Sequence, residues 1–469
     1  MKINYKNILL ALATSATLWS CGNKLNIEPE QSIREEIALN SDENVKRALS
    51  GAYNELSEEY FYGGVVQLLS ELLTSTSEIR WEGTFNQPRE VYNKNMLATN
   101  SFITSLWLQG YDAINIANNV LSALEVVNEA DREVVEGRAL FVRGIAHFEL
   151  VRLFAKPYSS GNTNSNPGVP LKLTATREIN EESYLPRASV EEVYQQIISD
   201  LTTAESKLEN NGEFAYGQKT AAAAMLSRVY LQMENYAEAR DAANRAITYD
   251  QFAVGNSYAR TFNSGKVNST DPDAATSDGI FQMPVSAQDG ANVMHTYWSI
   301  TAYGARAGDV VVLPAHLALY DQSLDANGAY LDHRLALFYR GEGNDIGTGD
   351  WRSGKWRFLN SNLSIVRLSE MYLTRAECNF RLGTSVGATA LADINYIRGR
   401  HTALPNLTTI DLNRILLERK LELAHEGQGI HDIKRLKGSV DGTAFDDRAL
   451  LLPIPQREID ASNGVLVQN

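Results

Sequence analysis

Between Thr220 and Asp250 small and apolar residues recur at helical spacing, and the other patterned segments are arranged around that stretch. Ala223, Leu226, Ser227 and Tyr230 fall on one stripe; after a turn at Glu234 to Tyr236 a second stripe runs through Ala239, Ala243 and Ala246. The pattern predicts two short helices that meet through small residues. Leu226, Tyr230, Tyr236 and Ile247 fill the space around the contact. A period of about 34 residues matches a tetratricopeptide unit, although any antiparallel helical hairpin gives similar stripes. Such a pair cannot bury its apolar face alone, so neighbouring helices must cover it.

Neighbouring segments supply the candidates. Val45, Leu49, Ala52, Tyr53 and Leu56 share one face of a helix capped by Asp42 and broken by Gly63 and Gly64. Helical spacing returns over 101–127, with Trp107 in the core, and over 133–154, where His147 reads as a packing residue and Pro157 closes the helix. It returns again over 190–208, 364–382 and 388–397. A last pair at 411–426 and 430–436 is divided by Gly427 and Gly429 as helix stops. Two stretches break the rule: 75–89, and the Gly-, Asn-, Asp-, Ser- and aromatic-rich 251–360. The expected fold is therefore mainly α: a tetratricopeptide-like helical-pair scaffold over 41–250, a large loop-rich insertion region over 251–360 that carries recognition, and a C-terminal helical region over 361–469 that completes the scaffold.

The N-terminus supplies a compartment. Lys2 and Lys6 precede an apolar run from Ile8 to Leu18, too short to span a bilayer and the right length for a signal-peptide core. It ends Leu18-Trp19-Ser20-Cys21-Gly22, which resembles a bacterial lipobox; the alternative is an ordinary signal peptide with an incidental cysteine. On the first reading residues 1–20 leave, Cys21 is acylated and 21–40 form a polar tether. Cys378 is then the only other cysteine and has no intramolecular partner. A net charge of -14 argues against nucleic acid and acidic membrane surfaces as partners, which leaves membrane attachment to the acyl chains.

Two catalytic patterns are absent: there is no His-Glu-x-x-His and no phosphate-cradling loop ahead of a helix. No catalytic residue, metal ligand or cofactor is assigned. His425 and His431 lie across two glycines at no ligand spacing, and Gly341 to Asp350 reads as a solvated turn rather than a calcium loop. Asp271-Pro-Asp273 fails the EF-hand pattern at Ala275. Arg414, Glu418, Arg419, Glu422 and Glu426, with Asp432 and Arg435, interleave opposite charges at helical spacing. They form either a solvated face or a buried network that fixes two helices in register; Leu417, Leu421 and Leu423, spread around the same helix, favour the network.

At this point the chain resembles a known family. Glu418-Arg419-Lys420-Leu421-Glu422-Leu423-Ala424-His425-Glu426-Gly427, followed by Asp432-Ile433-Lys434-Arg435, is similar to the C-terminal signature of the SusD/RagB family of outer-membrane nutrient-binding lipoproteins. So are Leu452-Pro-Ile-Pro-Gln456, Gly168-Val-Pro-Leu171, Asp332-His-Arg334 and Arg367-Leu-Ser-Glu370-Met-Tyr372, which extends the resemblance along the mature chain. It implies a lipid-anchored protein on the cell surface that binds a glycan, or in a minority of relatives a peptide, and works with a SusC-like TonB-dependent transporter. Other classes are a tetratricopeptide adaptor, which needs a tandem array of clean repeats, and a hydrolase, which needs a catalytic pair. Ligand residues do not follow from the family motifs. Sugar rings stack on aromatic side chains and their hydroxyls need amide or guanidinium partners. Trp81, Tyr297, Trp298, Tyr303, Trp351 and Trp356 are loop aromatics outside the expected core. The candidate site is Arg80, Trp81 and Asn86 facing Tyr297, Trp298, Tyr303 and Arg306, with Trp351.

Overall fold

The computed structural model describes residues 39–177, 183–249, 252–263, 278–285, 292–343, 345 and 347–469. Cys21, the leader, all but the last two tether residues and the Asp271 to Asp273 motif lie outside them.

Helix α1 (Asp42–Ser57) buries the expected Val45, Leu49, Ala52, Tyr53 and Leu56. Its cap is Ser41 rather than Asp42: the Ser41 side chain accepts the Asn44 N–H at 3.3 Å, and the Asp42 carboxylate instead accepts the Asn128 N–H at 2.9 Å. There follow α2 (Val65–Leu72), α3 (Asn86–Tyr92), α4 (Ser101–Ser122), α5 (Glu129–Phe154), α6 (Val190–Lys207), α7 (Lys219–Gln232) and α8 (Tyr236–Thr248). Helices α4, α5, α6, α7 and α8 pack in succession, each on the next, and α1 packs on α4 and α5. Each therefore covers the apolar stripe its predecessor cannot bury alone. Trp107 and His147 are both core, as their spacing predicts.

The hairpin at 220–250 explains its alanines. Ala221 to Ala224 are fully buried on α7, so neighbours approach this helix on every side, and the Ser227 hydroxyl donates to the Ala239 carbonyl at 3.1 Å. Further on, α9 (Val293–Trp298) is followed by α10 (Leu368–Leu382), α11 (Ala390–His401), α12 (Leu412–Glu422) and α13 (Gly429–Arg435). Helix α10 lies along α8, α11 and α12 lie against α10, and α13 returns to α2.

Short strands organise what lies between. β1 (Ile79–Trp81), β3 (Val310–Val312), β5 (Trp351–Arg352) and β4 (Tyr339–Arg340) form one antiparallel sheet in that spatial order, while β2 (Gly279–Met283) pairs with β6 (Leu363–Arg367). Residues 75–89, read as a loop, are thus partly strand and partly the start of α3.

Buried charge welds this region to the helices. Arg334 donates to Asp332 and to Glu418, each at 2.8 Å; Arg367 meets Glu426 at 2.8 Å and Asp278 at 2.9 Å. Arg228 reaches Glu370 at 2.5 Å, Arg419 reaches Asp432 at 2.9 Å and Arg435 reaches Glu377 at 2.7 Å. All five arginines are buried, so of the two readings of the interleaved charges the network holds. Burial alone would raise the Glu422 carboxyl, but His401, Arg367 and Arg334 hold it well below the usual carboxylate range.

Candidate ligand-binding face

Cross-strand register decides what the four-stranded sheet displays. Val312 lies opposite Trp351 and Trp351 opposite Arg340, so these share one face, and the Arg340 guanidinium stacks 4.0 Å from the centre of the Trp351 ring. On β1 the next residue, Arg80, is held between Glu82 at 2.7 Å and Asp350 at 2.8 Å.

Two similar pairs lie beside the sheet. Arg306 covers Phe85 at 4.4 Å, anchored by Asp309 at 3.0 Å and Thr84 at 3.2 Å. Arg357 covers Tyr303 at 4.8 Å and Tyr339 at 4.3 Å; the two tyrosine rings stand perpendicular, 5.6 Å apart. Phe85 and Tyr303 keep 39% and 37% of their surface in water. Asn86 is exposed at the first turn of α3. Each ring-and-guanidinium pair can stack on an apolar ring face while donating hydrogen bonds around its edge; by the register, Arg80 and Tyr339 lie on the face of the sheet opposite Trp351 and Arg340.

Four of the six aromatics read as lying outside the core prove to be core. Trp81 and Tyr297 are buried and pack on one another at 5.6 Å. Gly83 permits this, because a Cβ there would meet the Trp81 ring at 2.6 Å. Trp298 is fully buried, 4.7 Å from the His425 ring, and Trp356 is buried with its indole N–H on the His425 carbonyl at 3.0 Å. The cause is α9. Its cap, Asn292, accepts the His295 N–H at 2.7 Å, and the helix turns Val293, Met294, Tyr297 and Trp298 inward together. The expected Trp81 group and Tyr297 group do meet, but as packing beneath the exposed pair Phe85 and Arg306.

Phe85, Tyr339, Arg340 and Arg357 escape the sequence reading. The interleaving of Tyr339-Arg340 and Trp356-Arg357-Phe358 is the signal that carries two of those arginines. Among the described residues no group of three or more His, Cys, Asp or Glu is placed to hold a metal ion, and no helix is long and apolar enough to cross a membrane. Cys378 is buried, and that burial pushes its thiol up to about 12.

Comparison with known proteins places this architecture. Residues 154–444 match the SusD family, and residues 25–231 match a family described as starch-binding and associating with the outer membrane. A SusD-like protein, P2, from Formosa agariphila is 24% identical, with 97% of each chain covered. A solved SusD superfamily protein from Bacteroides thetaiotaomicron is 25% identical, with a TM-score of 0.77 over 92% of this chain and 99% of its own. A solved sugar-binding protein from Bacteroides vulgatus, assigned that role provisionally, is 23% identical, with a TM-score of 0.77 over the same shares.

Proposed function

Because the chain belongs to the SusD family, we propose that it is a lipid-anchored protein of the outer membrane that binds a glycan on the face around the four-stranded sheet and delivers it to a TonB-dependent transporter. The observation that carries the glycan reading is the set of three rings, two exposed and one half-buried, each covered by a guanidinium: Phe85 with Arg306, Tyr303 with Arg357, and Trp351 with Arg340. Sugars present alternating apolar faces and hydroxyl edges, and this arrangement answers both. Trp81 and Tyr297 pack beneath the Phe85 and Arg306 pair. The outer-membrane setting is supported by the description of the family that residues 25–231 match. Attachment through Cys21 rests on the lipobox-like sequence alone.

Calorimetry of the lipid-free mature chain against panels of polysaccharides and oligopeptides tests this reading. One glycan class should bind, and Trp351→Ala and Tyr303→Ala should each weaken it about tenfold, roughly the worth of one ring contact. Binding of peptides alone, or glycan affinity unmoved by both changes, overturns it. Incorporation of labelled acyl chain into the wild type but not Cys21→Ser tests the anchor.

A further inference from the structure

Away from the candidate ligand face, α2, the segment leading into β1, α12 and α13 line a cavity of ≈ 280 Å³. Ile79, Leu417, Leu423 and Ile433 make its wall mostly apolar. Among the acidic and basic side chains of that wall are the carboxyls of Glu71, Glu78 and Asp432 and the cations of Arg419 and Lys420. Both cations are taken: Lys420 by Glu78, and Arg419 by Asp432 at 2.9 Å and by Glu370 at 3.2 Å. Burial lowers the imidazoles of His316 and His425, so neither adds positive charge above neutral pH. Glu71 is left over, with no basic side chain in ion-pair contact among the described residues.

The fold builds that carboxyl into place. Gln67 and Glu71 stand one turn apart on the same face of α2, and the turn ahead of α13 is seated against both. Gly427 makes the close approach possible: it lies in the left-handed region at φ 81, and a Cβ there would meet the Gln67 Cα at 2.9 Å. Its N–H donates to Oε1 of Glu71 at 2.6 Å. The second oxygen, Oε2, accepts no hydrogen bond from the described residues, yet it is not among the buried polar atoms sealed from solvent. Glu71 keeps 5% of its surface accessible and forms part of the cavity wall, so that surface opens into the cavity. Burial pushes the carboxyl from 4.5 up to about 7, against the pull of the Gly427 N–H and of Lys355, which is itself committed to Glu426 at 2.6 Å. A glutamine would serve the Gly427 N–H equally well. The carboxyl adds a charge for which the fold supplies no counterpart.

We propose that this cavity is a second binding site, for a small organic cation whose ammonium group donates to Oε2 of Glu71 while its apolar body lies against Leu417, Leu423 and Ile433. The ammonium supplies the opposite charge that the wall lacks, which offsets the cost of keeping the carboxylate out of water. The ligand is small because the volume lies near the lower end of the roughly 300–1,000 Å³ typical of ligand pockets. The site uses none of the rings or guanidinium groups of the glycan face, so either can fail without the other.

Calorimetric titrations of the mature chain at pH 8, where Glu71 is ionised, test the assignment with benzylammonium. Benzyl alcohol of the same shape, phenylacetate of opposite charge and methylammonium without the apolar body serve as controls. Benzylammonium should bind about tenfold more tightly than any of the three, and should shift the methyl NMR signals of Ile79 and Ile433. Glu71→Gln keeps an acceptor for the Gly427 N–H, and should make benzylammonium and benzyl alcohol equivalent with an unchanged far-UV spectrum. Should that variant misfold, the wild-type comparisons decide alone. Absence of benzylammonium binding, equal binding of benzylammonium and benzyl alcohol to the wild type, shifts confined to methyl groups elsewhere, or a folded Glu71→Gln chain that keeps the preference overturns the assignment.

Discussion

Trp298 and Trp351 differ in what packs over them. Trp298 is fully buried against His425, so Trp298→Ala should lower unfolding free energy by about 3–5 kcal/mol in denaturant melts while leaving glycan affinity of the folded fraction unchanged. Trp351 is half-buried beneath Arg340, so its alanine variant should show the reverse: a loss of affinity and a small change in the melt. The sequence could not tell them apart. Burial of a large ring depends on what packs over it, and α9, with six residues, is too short to display a helical period. His147, by contrast, is legible as core because twenty-six consecutive helical residues surround it. Glu71 adds a prediction of its own. Burial raises its carboxyl from 4.5 to about 7 although the Gly427 N–H donates to it. Between those values the unfolded chain ionises this group and the folded chain keeps it protonated. Stability associated with it is thus complete below pH 4.5 and is lost as pH rises to about 7. Glu71→Gln should remove up to about 3 kcal/mol of that decline, measured by urea titrations at pH 5 and pH 8.

Among the elements, α12 shows how a helix can read as wet and be dry. Glu418, Arg419 and Glu422 are all buried, each matched by a charge from another segment: Arg334, Glu370 and Arg367. Removing one member leaves its partners charged and buried, so Arg367→Leu should cost about 3–5 kcal/mol, far more than an exposed ion pair of about 0–1 kcal/mol. The carboxylates of the network titrate below their ordinary range: despite burial, which raises them, Arg228 and Arg419 lower Glu370, Arg435 lowers Glu377 and Arg334 lowers Glu418. A depressed folded value means that the stability is present above the unfolded value of about 4.3 and is lost as pH falls below it. Acid unfolding followed by circular dichroism should begin below about pH 4.3, and Arg367→Leu should move the onset upward. Spacing revealed the charges, and the three leucines on the same helix favoured the dry alternative. The distant partners at Arg334 and Arg367 could not be read from that helix alone.

In the molecule as a whole, the helical scaffold was legible and the candidate ligand face was only partly so. Runs of eleven to twenty-six residues carry a period, and the helix pair at 220–250 announced its own need for neighbours. Strands of two or three residues cannot show alternation, and the sheet joins β1 to β3 and β5 from the other side of the chain. Arg80 meets Asp350 across 270 positions. That separation has a consequence for how the protein comes into being. The helix array from α1 to α8 closes through contacts between neighbours in the chain and can consolidate early, whereas β1 stays a lone ribbon until most of the polypeptide has been made. Pulse-labelled hydrogen exchange during refolding should find the amides of Val310 to Val312 protected after those of α7. A chain cut short before Val310 would be a helical body with an unmated edge where its grip ought to be.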